Sequence, residues 1–214
     1  MSPKFRHLIC AAAVAASASV GRAAVVINEV DYDIAGNDTT GEFVELFNNG
    51  SSAVDLTGFS LVLFNGGAAN DPSYASVPLT GSITAGGFYV IGNVTGANVD
   101  PTTNADLIQN GAGDAIGLYS SGSFPNGTAP TTTNLVAGVV YEGQDSFPAA
   151  FELITVDDNN ADNTSPQRSP LGLGTGPFAL ATPPTPGLVN AVPEPTSLSL
   201  FTVGGLLLLR RRRA

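Results

Sequence analysis

From Val25 onward the chain is a train of short apolar runs, none of which keeps a long helical period. Val25–Val30, Glu42–Asn48, Phe59–Phe64, Phe88–Gly92, Ala115–Ser120, Leu135–Glu142 and Phe151–Val156 are rich in Val, Ile, Leu, Phe and Tyr. Between them lie Asn-Gly, Gly-Gly and Asp/Asn/Ser clusters, which form turns. Asn65-Gly66-Gly67 and Ala85-Gly86-Gly87 are predicted turns because Gly and Asn accept positive φ. Strands punctuated this way predict an all-β antiparallel sandwich or barrel.

Both ends must be set aside before that fold is built. Lys4, Arg6 and His7 form a basic n-region, Leu8 to Val20 an apolar h-region, and Gly21-Arg22-Ala23 a small-x-small cleavage site. The segment 1–23 is therefore expected to be a signal peptide, with the mature start at Ala24. Leu8 and Ile9 are not the small residues expected before a lipidated cysteine, so Cys10 is not read as a lipid anchor. At the other end, Pro193-Glu194-Pro195 precede an apolar run from Leu198 to Leu209, then Arg210, Arg211, Arg212 and Arg213. A helix over that run spans roughly 20 Å, short of the roughly 30 Å hydrocarbon core. The arginines would hold its end in the cytoplasm. An ordinary tail anchor has the same outline. The order of the three parts, however, resembles a PEP-CTERM exosortase-type sorting signal, in which Pro193, Glu194 and Pro195 mark the processing motif. That resemblance implies a Gram-negative exporter and an exosortase, a transpeptidase-like protease, at the inner membrane. It also implies transient anchoring through a short hydrophobic helix, then a body released or attached outside the cell. The expected division is 1–23 signal peptide, 24–190 folded body and 191–214 sorting segment.

Subtracting both ends removes Cys10 and His7, the single cysteine and histidine, and all but one of the eight Lys and Arg. Arg168 then stands against seventeen Asp and Glu. A Ser-His-Asp or Cys-His site needs an imidazole, and zinc sites draw on His or Cys. Phosphate chemistry and nucleic-acid binding need cations, which an acidic body lacks. Catalysis of these kinds, and nucleic acid as a partner, are excluded by composition.

Three segments carry a more specific likeness. Ile27-Asn28-Glu29-Val30, Glu42-Phe43-Val44-Glu45-Leu46-Phe47-Asn48 and Val54-Asp55-Leu56-Thr57-Gly58-Phe59-Ser60-Leu61 resemble the opening of a lamin tail domain. Gly86–Ile91, Asp114–Tyr119, Gln167-Arg168 and Thr185-Pro186-Gly187-Leu188-Val189-Asn190 continue the pattern in order. The resemblance implies an immunoglobulin-like antiparallel β-sandwich, with Phe178 to Ala181 as a final strand and the Thr-Pro-Gly-x-x-Asn segment as its close. It brings no catalytic mechanism with it.

Glu29, Glu42 and Glu45 are candidates for buried or paired carboxylates. Two at suitable separation could serve a glycosidase, but period-2 alternation puts Glu42 and Glu45 on opposite faces. The alternative is that Asn28, Glu29, Glu42 and Asn48 satisfy backbone groups or face water. Two acidic loops suit a metal better: Asp31, Asp33, Asn37 and Asp38 after the first strand, and Asp157, Asp158, Asn160, Asp162 and Asn163 later. Ca²⁺ takes roughly six to eight oxygen ligands of these types. Asp158-x-Asn160-x-Asp162 has alternating spacing, yet lacks the Gly and Glu of an EF-hand, and solvated Asx turns are the ordinary role of such clusters. Arg168 is expected to make a structural bidentate pair orienting the late segment. The sequence thus describes a non-catalytic structural or interaction module of the cell surface or extracellular matrix, contacting polysaccharide or surface protein. The competing readings are a carboxylate-dependent glycan hydrolase and an accessory domain of an exported nuclease.

Overall fold

The computed structural model describes residues 25–190, apart from 36–39, 102–106, 112, 144–145, 159–162, 170–173 and 175. The expected signal-peptide and C-terminal helices, with the motif residues Pro193 to Pro195 and Arg210 to Arg213, lie outside the described residues. So do Asn37, Asp38, Asn160 and Asp162. Among the described residues there is no helix long and apolar enough to cross a membrane.

Among the described residues, twelve strands follow in chain order: β1 (Val25–Asp31), β2 (Phe43–Asn48), β3 (Val54–Asp55), β4 (Ser60–Phe64), β5 (Ser73–Pro78), β6 (Ser82–Ile83), β7 (Phe88–Gly92), β8 (Ala115–Tyr119), β9 (Leu135–Val140), β10 (Glu152–Leu153), β11 (Ser165–Arg168) and β12 (Phe178–Ala181). One five-stranded sheet has the order β12-β11-β1-β2-β7, the other β10-β9-β8-β4-β5, and β3 pairs with β6 alone. Every pairing between these strands is antiparallel except β9 with β10. The fold is an all-β sandwich, as the runs of Val, Ile and aromatic residues require.

The core lies between the sheets. Ile27, Val44, Leu46 and Ile91 from the first sheet meet Leu61, Leu63, Ile116, Leu118 and Val139 from the second. Along β1 the core residues are Val25 and Ile27, then Val30 and Tyr32, so the alternation changes parity. A register shift between Ile27 and Glu29 is the cause: the bulge at Asn28 inserts one residue and turns Glu29 and Asp31 outward. Without it, strict alternation would drive Glu29 into the apolar core.

Both outer faces are covered as well, so β2 and β8 are buried along their whole length. On the second sheet Val62, Phe64, Ala115 and Tyr119 form an outer cluster beneath Phe124 and Phe151, with Phe147 packed against it. Phe64 meets Tyr119, Phe147 and Phe151 edge-on, with ring centroids 6.2–6.4 Å apart. Phe151 thus leaves the predicted Phe151–Val156 strand, of which only Glu152 and Leu153 pair. The Asn65–Gly67 turn also forms for a different reason. Positive φ falls on Asn70 and Asp71, whereas Gly66 is required because a Cβ there would lie 2.0 Å from the Gly113 carbonyl oxygen.

Candidate functional site

The outer face of the first sheet carries polar residues under a strap, the segment 182–190 that follows β12. Glu29 is the register partner of both Glu45 and Gln167, so the three stand side by side on β1, β2 and β11. Glu29 and Glu45 are fully buried. The strap supplies most of their donors. Thr185 donates its backbone N–H to Glu29 Oε1 at 2.8 Å and its hydroxyl to Oε2 at 2.7 Å, while Ser165 donates to Oε1 at 2.7 Å. Glu45 accepts from the N–H of Gly187 at 2.6 Å and from Asn28 Nδ2 at 2.7 Å. Asn28 also donates to Asn190 Oδ1 at 2.6 Å, and Asn190 Nδ2 donates to the Arg168 carbonyl at 2.7 Å. Gln167 Nε2 completes the set through the Pro183 carbonyl at 2.9 Å. All four oxygens of the two carboxylates are therefore engaged. Burial, only partly offset by these donors, raises the pKa of Glu29 and pushes that of Glu45 up to about 8.

Glu42 serves the opposite face, as alternation requires: its Oε2 accepts the N–H groups of Leu107 and Ile108 at 2.8 and 3.1 Å. Asn48 spans a loop by donating to the carbonyls of Ser52 and Ile83. Arg168 sits on β11 and reaches across to the second sheet. Its two terminal nitrogens donate to Glu152 at 3.1 and 2.7 Å, Nε donates to the Ile27 carbonyl at 2.6 Å, and the guanidinium lies 4.3 Å from the centre of the Phe178 ring. The one cation of the body is thus a bidentate tie between sheets.

Of the two predicted acidic loops, Asp31, Asp33, Asp157, Asp158 and Asn163 are described, and Asp31 and Asp158 meet. Asp31 ends β1 on the outer face, and Asp158 lies against it; they are 3% and 0% exposed. The N–H of Asp158 donates to Tyr32 Oη at 2.9 Å, and Thr164 donates to Asp158 Oδ1 at 2.9 Å. Burial first, then the charge of Asp158, raises the pKa of Asp31. Asp158 is also raised by burial, against hydrogen bonds from Thr164, Asp31 and the backbone of Asp33 that favour its charge. Asp33 is half-buried and accepts from Asn110, and Asp157 is exposed. An open cleft of about 490 Å³ is lined by Asp31, Asp33, Phe43, Asn163 and Thr164. Among the described residues no three His, Cys, Asp or Glu side chains gather as a ligand set.

The carboxylates are legible in the sequence, but their partners are not. Ser165, Gln167, Thr185 and Asn190 act only because the chain returns over β1 some 136 to 162 residues after Glu29 and Asn28. The Thr-Pro-Gly-x-x-Asn segment was the one visible sign of that return.

The family model described as Lamin Tail Domain matches residues 18–143, and that of the PEP-CTERM protein-sorting motif matches residues 191–213. The first span runs from before β1 through β9; β10, β11, β12 and the strap lie beyond it. No curated protein matches the sequence. Among solved structures, a DUF4876 family protein from Bacteroides thetaiotaomicron aligns at 9% identity with a TM-score of 0.45, covering 83% of this chain and 74% of that one.

Proposed function

Because the chain belongs to the lamin tail domain family and carries a PEP-CTERM sorting motif, we propose that its body is a non-catalytic structural or interaction module, delivered to the cell surface or extracellular matrix by that motif. Segment 1–23 directs export and is removed. Segment 191–214 anchors the chain transiently at the inner membrane, where an exosortase processes it at Pro193-Glu194-Pro195. The body, 24–190, is left outside to contact polysaccharide or surface protein through its loops and sheet edges, with no nucleic acid involved.

The observation that carries the non-catalytic reading is the state of Glu29 and Glu45. They are adjacent, as a glycosidase pair would be, but each oxygen accepts a hydrogen bond and neither side chain meets solvent. An acid/base pair must reach a substrate oxygen and a water. These two reach the strap. The test is a paired measurement on Glu29→Gln and Glu45→Gln. As structural groups they lower the melting temperature, and the parent protein releases no reducing ends from surface glycans. Release of reducing ends by the parent, abolished in variants that melt normally, would establish the hydrolase instead.

A further inference from the structure

Asp31 and Asp158, one from each acidic loop, meet at one buried spot. Asp31 Oδ1 and Asp158 Oδ2 have no hydrogen-bond partner, and both residues are more than nine-tenths buried. Two adjoining buried carboxylates repel each other when both are charged, and either a shared proton or a counter-ion relieves that repulsion. Arg168 cannot supply the counter-charge, being tied to Glu152 and the Ile27 carbonyl. The open cleft reaches Asp31 from solvent, and the oxygen-bearing residues Asp33, Asn163 and Thr164 line it too.

We propose that Asp31 and Asp158 form a divalent-cation site, entered through this cleft, that takes a hard, oxygen-seeking ion such as Ca²⁺. Every candidate ligand is an oxygen, which disfavours zinc and copper. Two buried carboxylates are a low charge count, so carbonyl, hydroxyl and water oxygens must fill the shell. Such a set places the dissociation constant at roughly 10⁻⁴ to 10⁻³ M, the range of extracellular modules. The ion would fix the end of β1 to the segment preceding β11. The proposal is independent of whether the body is a module or a hydrolase.

The chain has no tryptophan, so Tb³⁺ emission sensitised by tyrosine reports on this site with little background. Tyr32 contacts Asp158 directly and packs against Tyr141 with the rings tilted by 34° and their centroids 4.5 Å apart. The full chain, purified in detergent and stripped with chelator, should show saturable Tb³⁺ emission that Ca²⁺ displaces. Asp158→Asn and Asp31→Asn should each bind at least about tenfold more weakly, since even outer-shell changes at metal sites cost that much. Asp100→Asn, at an exposed position, should bind like the parent. Ca²⁺ at ten times its dissociation constant should raise the parent's melting temperature by about 3–6 °C. If Asp31 and Asp158 merely share a proton, the parent melts identically in Ca²⁺ and chelator, and the proposal fails. It fails equally if both Asp→Asn variants retain parental Tb³⁺ affinity. Should either variant not fold, the parent's Ca²⁺ displacement and melting shift decide alone.

Discussion

A buried carboxylate must be held by donors, and Glu45 has two, the N–H of Gly187 and the amide of Asn28. Burial outweighs them and lifts its pKa to about 8 from an ordinary value near 4.5. The folded state therefore holds this proton more tightly than the unfolded state. The stability it contributes is full below about pH 4.5 and is lost as pH rises through about 8, at no more than about 1.4 kcal/mol per pH unit. Glu29 is shifted in the same direction, so the melting temperature should fall between pH 5 and pH 8. Glu45→Gln should melt lower at pH 5 than the parent, yet decline less with pH; an unchanged slope would show that Glu45 does not titrate there. Gly66 is a second singular position. Gly66→Ala forces a Cβ against backbone and should cost about 3 kcal/mol, an overpacking value. Gly67→Ala, whose nearest neighbour is the Asn65 side chain at 3.3 Å, should stay within about 0.5 kcal/mol in denaturant titrations. Both glycines look alike in the sequence. What separates them is the approach of Gly113, 47 residues later, which no local pattern encodes.

Among the elements, the readable strands are those that face the core. Runs such as Val25–Val30 and Phe88–Gly92 announce themselves because Val, Ile and aromatic residues fill their core-facing positions. Ser165–Arg168 is just as buried but could not be seen: its outer face meets a polar strap, so its sequence is Ser-Pro-Gln-Arg. Ser73–Pro78 hides for a related reason, since it is an edge strand with partly exposed positions. The bulge at Asn28 was illegible too, because only the parity of the core residues on both sides reveals it. Arg168 was legible from its solitude, and its role yields an asymmetric prediction. Arg168→Lys loses the bidentate pair and the Ile27 contact and weakens the cation–π contact with Phe178, and should cost about 2–3 kcal/mol. Glu152→Gln should cost at most about 1 kcal/mol, because its side chain is 46% exposed and the interaction is screened. Equal losses in chemical denaturation would mean the tie acts only as an ion pair. In the strap, Thr185→Val removes one donor to Glu29 while keeping its shape, and should cost about 1–3 kcal/mol.

At the scale of the whole molecule, the body is a sandwich with two different covers, aromatic over one sheet and polar over the other. The polar cover includes Asn190, which is itself buried, and the matched sorting motif spans residues 191–213. Seventeen acids against one base also predict self-repulsion within the body. Monovalent salt should raise its melting temperature gradually through screening, whereas an ion held at Asp31 and Asp158 should act at far lower concentration. The central claim is that a sorted, exported module remains once both ends are removed, and the intact mass of the protein recovered from outside the cell tests it most directly. The recovered protein should start at Ala24 and end within or close to Pro193-Glu194-Pro195, allowing for any group attached there. A mature protein that keeps Arg210 to Arg213 would contradict it.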